Sequence, residues 1–192
     1  MKIKASKIII IGILLVLFSV SMLGCRQTER NAICAHGYDD QVEFTTAFED
    51  IHGIGQDEFV RALGREKAFW VNSVQEFLAC WDAIKTMSRF KAVAADEAAL
   101  LARYDQAFFD TKSLLFLEYD LGGSQPVPQK ICCVKRTQDG GLQVCLDIRY
   151  TKPYTTLTQN GKHYVLELDK SEAGKSVERW THDVDTDTMQ KQ

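Results

Sequence analysis

The chain has 192 residues, 45% of them hydrophobic, and its 23 Lys and Arg against 26 Asp and Glu give a net charge of −3. That balance argues against a nucleic-acid binder, since phosphates demand a basic surface, and it offers no electrostatic grip on anionic lipid. The length suits one domain with a substantial core.

Residues 1–7 carry Lys2, Lys4 and Lys7 and no acid; Ile8 to Val20 is uncharged and apolar but for Ser19, followed by Ser21-Met22-Leu23-Gly24-Cys25. A positive end, an apolar middle and a small residue at the cut make a secretory signal. The apolar run falls short of the ~20 residues a helix needs to span the hydrocarbon core. Leu23-Gly24-Cys25 resembles a bacterial lipobox, with Met22 where leucine is usual, so Cys25 is expected to be acylated, with chains such as palmitate, and to become the first mature residue. Several acyl chains supply the anchoring that one alone does not. The expected layout is a signal peptide over 1–24, a polar tether over 25–40, a folded domain over 41–182 and a frayed tail over 183–192. Without its leader the chain keeps 20 basic against 26 acidic residues, a charge that mainly favours solubility.

Lipidation of Cys25 leaves Cys34, Cys80, Cys132, Cys133 and Cys145, an odd number. Cys80 falls on an apolar helix face and is expected to act as a small core residue. Cys132 and Cys133 are neighbours in a predicted strand, so their side chains should point to opposite faces. One of them can face Cys145 on the next strand. No CxxC pair or zinc-ligand spacing occurs, so no metal is expected at these cysteines, with or without His36 or His163.

Along the domain, Val42-Glu43-Phe44 alternates as a first strand does. Residues 50–63, with Gly53 and Gly55, suggest a loop into a short helical turn, and Phe69-Trp70-Val71 a short buried strand. Ser73 with Glu76 forms a capping box. It opens a helix whose Val74, Phe77, Leu78, Trp81 and Ile84 share one face. A second helix is predicted over Asp96 to Tyr104 with Ala98, Leu100 and Leu101 inward. Asp105 then caps a turn carrying Phe108 and Phe109. Ser113 to Tyr119 is nearly all apolar, as a strand covered on both faces would be.

Lys130–Arg136 and Leu142–Tyr150 flank Gln138-Asp139-Gly140-Gly141, a strong hairpin signal because primed turns need positive φ. Leu142, Val144, Leu146 and Ile148 give the second of these strands one buried face. Asn160-Gly161 predicts a turn, His163 to Leu168 a strand, and Val177 to Thr181 a last edge strand. Together these elements predict an α+β fold, a mainly antiparallel sheet with two or three packed helices.

Four stretches carry a resemblance to the PrcB-like family of bacterial lipoproteins, named after a small accessory subunit of a surface protease complex. They are Val42-Glu43-Phe44 with its glycine-bearing loop; Phe69-Trp70-Val71-Asn72-Ser73 running into Glu76, Phe77 and Trp81; Tyr104-Asp105-Gln106-Ala107-Phe108-Phe109 leading to Leu114–Leu117; and Asp139-Gly140-Gly141-Leu142 followed by Pro153 and Tyr164–Asp169. The likeness covers about residues 41–170 and implies a small non-catalytic accessory domain. Family members often carry Thr/Ser-Gly-Gly-Tyr or Ser-Gly-Ser after the central strand. Here the loop reads Gly122-Gly123-Ser124-Gln125-Pro126.

The sequence holds no GxSxG, HExxH, P-loop or GxGxxG. His163 alternates with Val165 as a structural strand histidine would, and Asp96-Glu97 and Asp105 sit where acids favour helix starts. Asp183, Asp185 and Asp187 lack the glycine and pattern of an EF-hand. The function expected is therefore a non-catalytic binding or assembly module without cofactor. It would be lipid-anchored through Cys25 on the extracytoplasmic face of the cell membrane, meeting an envelope protein through Gly122, Gly123, Ser124, Gln125 and Pro126 or a sheet edge. The alternative is an envelope hydrolase whose site pairs His163 with Asp147 or Cys145, since such sites need no local motif.

Overall fold

The structure, a computed structural model, describes residues 40–49, 63–85, 97–121, 130–149 and 160–192. Asp40–Gln192 form one compact unit. Its described elements run β1 (Phe44–Glu49), β2 (Ala68–Val71), α1 (Val74–Ile84), α2 (Glu97–Arg103), α3 (Gln106–Thr111), β3 (Lys112–Leu121), β4 (Lys130–Arg136), β5 (Leu142–Ile148) and β6 (Asn160–Asp169). A 3-10 turn at Lys170–Glu172 then leads to β7 (Val177–Asp183) and β8 (Thr188–Lys191). No helix among the described residues is long and apolar enough to cross a membrane.

The strands form two four-stranded sheets, β1-β6-β3-β2 and β4-β5-β7-β8, rather than one. All pairings are antiparallel except β5 with β7, which run parallel because β6, in the other sheet, lies between them in the chain. The fold is therefore α+β and mostly antiparallel, as its sequence pattern suggests. The alternation of β3 explains the layering. Leu115, Leu117, Tyr119 and Leu121 face the second sheet and pack with Leu142, Val144, Leu146 and Ile148 of β5. Leu114 and Phe116 face the other way, into Phe77, Trp81 and Ile84 of α1 and Phe109 of α3. Being covered on both sides, β3 needs apolar residues at nearly every position.

Local signals placed several elements. Ser73 Oγ accepts from the Glu76 amide at 3.2 Å, and the Glu76 carboxylate accepts from the Asn72 amide at 2.7 Å, one residue earlier than a strict capping box. Asp105 caps α3 by accepting from Phe108 N at 2.9 Å. On α1 the buried face is Phe77, Cys80, Trp81 and Ile84, while Leu78 is 40% exposed. On α2, Leu100 and Leu101 are half-buried and Ala98 is exposed.

Three boundaries differ from the sequence expectation. The first strand begins at Phe44, and Gln41-Val42 instead bridge to β4, with Val42 N donating to Val134 O. Asn160-Gly161 open β6 as paired strand, opposite Leu121 and Asp120. The 183–192 segment is a hairpin arm, not a frayed tail, since β8 pairs with β7 and moves β7 into the sheet interior. The residues of β8 are all exposed, so backbone pairing holds it and no apolar periodicity announced it.

Candidate functional site

The chemistry-bearing side chains of the second sheet lie on its outer face. Leu142, Val144, Leu146 and Ile148 fill the core side of β5, so Gln143, Cys145 and Asp147 point outward. Pairing counts back from the Asp139-Gly140 turn, where Gly140 has φ +85°. Lys135 meets Gln143, Val134 meets Val144, and Cys133 meets Cys145. The register then shifts between Ile131 and Cys133, leaving Cys132 as an extra residue.

This bulge overturns the expectation that Cys132 and Cys133 point to opposite faces. A bulged strand sets two residues against one on its partner, so strict alternation fails there. The Sγ atoms of Cys132, Cys133 and Cys145 all lie within 4.8 Å of one another. Cys132 Sγ also donates to Cys145 O at 3.3 Å, and Cys145 Sγ lies 3.9 Å from Met189 Sδ of β8. Cys133 and Cys145 are buried, Cys132 is half-buried and Met189 is 46% exposed. No disulfide forms among the described cysteines.

In the next row, Asp147 of β5 is in register with His182 of β7. His182 Nδ1 lies 3.0 Å from Asp147 Oδ1, and its Nε2 lies 3.0 Å from Asp187 Oδ1. Burial pushes the imidazole pKa down, but hydrogen bonds to Asp187 and Asp147 outweigh it and raise the pKa above its ordinary value. With both ring nitrogens engaged by carboxylates, His182 is held towards the imidazolium and presents no basic nitrogen to a thiol. The remaining tail acids serve the turn before β8. Asp183 accepts from Asp185 N at 3.0 Å and Thr186 Oγ1 at 2.8 Å, which lowers its pKa.

His163 lies elsewhere. It sits on β6 beside Glu118 of β3, Nε2 to Oε2 3.5 Å, both fully buried. Alternation puts this pair on the helix-facing side of the first sheet, with Leu114, Phe116 and Val165. The expected pairing of His163 with Asp147 or Cys145 is thus not formed.

A cleft of about 870 Å³ opens beside β2, lined by Arg65, Lys67, Trp70, Lys175, Arg179 and Lys191 among others, with Glu66 and Glu178 as its acids. Trp70 Nε1 donates to Lys175 O at 2.9 Å and fixes the indole in the wall. Lys67 reaches Asp120 at 2.6 Å, Lys175 reaches Glu172 at 2.6 Å, and Lys191 pairs with Glu178. These three cations are thus tied to acids and hold the cleft's shape.

Of the residues singled out from sequence, Cys25, Cys34, His36 and the loop residues Gly122, Gly123, Ser124, Gln125 and Pro126 lie outside the described residues. Sequence allowed one of Cys132 and Cys133 to face Cys145 but did not gather the rest of the outer-face cluster. Counting from a two-residue Asp139-Gly140 turn would have set Val134 opposite Cys145. The loop that forms spans residues 138–140, with Thr137 bonded to Gly141, and only that one-residue change brings Cys133 there, while the bulge and the contribution of β8 have no local signature. Comparison with known proteins finds no matching family model, no matching curated protein and no matching solved structure.

Proposed function

We propose that the chain is a lipid-anchored extracytoplasmic module that binds or assembles with an envelope protein and performs no chemistry of its own. The observation that carries this reading is the leader ending in Leu23-Gly24-Cys25, which precedes in the chain a compact unit that begins at Asp40. The resemblance to PrcB-like lipoproteins points the same way.

The cleft beside β2 supplies a binding surface of defined chemistry. Its cations outnumber its acids on a chain whose net charge is −3, so it favours an acidic, extended segment of a partner. Trp70 adds a rigid aromatic wall of the kind that anchors interfaces. β2 is an edge strand of the first sheet, where a partner strand can add its backbone hydrogen bonds. The predicted Gly122–Pro126 loop follows directly on Leu121 at the end of β3, whose Asp120 pairs with Lys67 of this cleft.

The hydrolase alternative loses its motivating geometry, because His163 and Asp147 lie on different sheets and His182 is engaged at both nitrogens.

The reading is tested by cross-linking the chain in intact membranes and identifying what is captured after solubilisation. One partner, captured repeatedly and lost from an Arg65→Glu/Lys191→Glu variant of unchanged circular dichroism, is the expected result. Capture of the same partner by that variant removes the cleft from the interface. Repeated capture of nothing contradicts the module reading.

A further inference from the structure

We propose that Cys132, Cys133, Cys145 and Met189 form a binding site for one soft monovalent cation, with Cu(I) as its type. The inference rests on side-chain geometry and is independent of the lipid anchor.

The donor set comes first. Three thiols share a patch in which every Sγ pair is within 4.8 Å, and a thioether stands 3.9 Å from one of them. A cation bound to sulfur at about 2.3 Å in a trigonal plane sets its ligands about 4 Å apart, so small rotamer adjustments close the three thiols around it. Thiolate and thioether together select a soft cation such as Cu(I). Zinc uses thiolate, imidazole and carboxylate, and the nearby imidazole and carboxylate, His182 and Asp147, are bonded to each other.

Placement separates this cluster from ordinary packing. Cys80, on α1, belongs to the helix-side apolar cluster, and burial raises its pKa. Cys133 and Cys145 are as buried as Cys80, yet both lie on the outer face of the second sheet. The β4 bulge turns Cys132 into the same patch, and bulges re-aim side chains in this way next to functional sites. The half-buried Cys132 and the exposed Met189 leave a route for the cation from solvent. Three strands, β4, β5 and β8, contribute ligands, so the site is assembled only when the hairpin and the chain end have both paired. Binding forms metal–sulfur bonds at the cation's existing oxidation state, and each thiol that becomes a ligand gives its proton to solvent.

The test uses the full chain in detergent, carrying Cys34→Ser, anaerobic, with a phosphine reductant so that no competing thiol is added. Cu(I) is titrated in the presence of the chromophoric chelator bicinchoninate. The expected result is retention of one equivalent, with an ultraviolet thiolate-to-copper charge-transfer band, and its loss in Cys145→Ser. Met189→Leu removes a sulfur at an exposed strand position without burying a polar group, so it keeps the test decisive even if a cysteine variant unfolds. That variant should hold Cu(I) about 10-fold more weakly, the scale on which a supporting ligand acts. Retention unaltered by both Cys132→Ser and Met189→Leu overturns the proposal, and so does displacement of Cu(I) by equimolar Zn(II).

Discussion

Glu172 offers the sharpest test of how the two sheets are pinned together. Asp169 accepts from Ser171 N and starts the 3-10 turn that follows β6. The turn delivers the Glu172 side chain to a site where it is 1% exposed. There it accepts from Arg136 Nη2, at the end of β4, and from Lys175 Nζ, both at 2.6 Å. One carboxylate thus ties the end of the first sheet to the edge of the second. Burial pushes its pKa up, but the Arg136 and Lys175 hydrogen bonds win and hold the pKa below the ordinary value.

The perturbation is Glu172→Gln, which keeps shape and removes charge. Hydrogen bonds to charged groups contribute about 1.5–3 kcal/mol each, and an isolated buried charge left behind would cost more. Here, however, the side chains of Arg136 and Lys175 are 46% and 27% exposed and can rehydrate, so the loss should be nearer ~2 kcal/mol. For a domain of this size that lowers Tm by about 4–8 °C.

The pH dependence has a fixed sign. A carboxylate with a depressed folded pKa adds stability above its unfolded pKa of about 4.3, and that increment disappears as pH falls through the folded value. Urea unfolding followed by circular dichroism should show the gap between wild type and variant full at neutral pH and closing in acid. A gap that is absent, or equally wide on both sides of the carboxylate range, refutes the ion triad.

Two further outcomes follow from packing. Gly141→Ala places a Cβ against Ser176 Oγ, with Thr137 Oγ1 at 3.0 Å and the Ser176 carbonyl at 3.1 Å; because one obstacle is backbone, a loss of about 1–3 kcal/mol is expected in denaturant melts, and an unchanged midpoint contradicts the close approach. Ser73→Ala removes the side-chain cap of α1 and should cost ~1 kcal/mol, whereas Ser73→Asp should restore most of it; equal stability of the Ala variant and wild type would mean that the cap contributes nothing.

Sequence spoke most clearly where structure is local. The Asp139-Gly140 hairpin, the Ser73 and Asp105 caps and the two-sided strand Ser113–Tyr119 all appear where turn chemistry and periodicity put them, because each depends on residues close in the chain. What sequence could not show is non-local. Whether eight strands close into one sheet or two depends on which strand β6 joins. The parallel pairing of β5 and β7 follows from that choice. Leu78 sits at a helix position that fits the apolar spacing, yet α1 rests on β3 through a narrower stripe. The polar β8 carries no periodic signal at all.

The candidate site follows the same rule. Its cysteines fall within two strands of a hairpin, but a two-residue Asp139-Gly140 turn would set Val134 opposite Cys145, and only the three-residue loop that forms puts Cys133 there. The bulge that adds Cys132 is a mismatch between two strands and has no signature in either one. His182 meets Asp147 only because β7 crosses back beside β5, which spacing along the chain does not reveal.

The most direct experiment is the intact mass of the N-terminal peptide of the chain purified from membranes. A peptide beginning at Cys25 and carrying the mass of a diacylglyceryl group is the expected result. An unmodified Cys25 within an uncleaved leader, or a mature end elsewhere, would contradict the lipid anchor on which the proposed role depends.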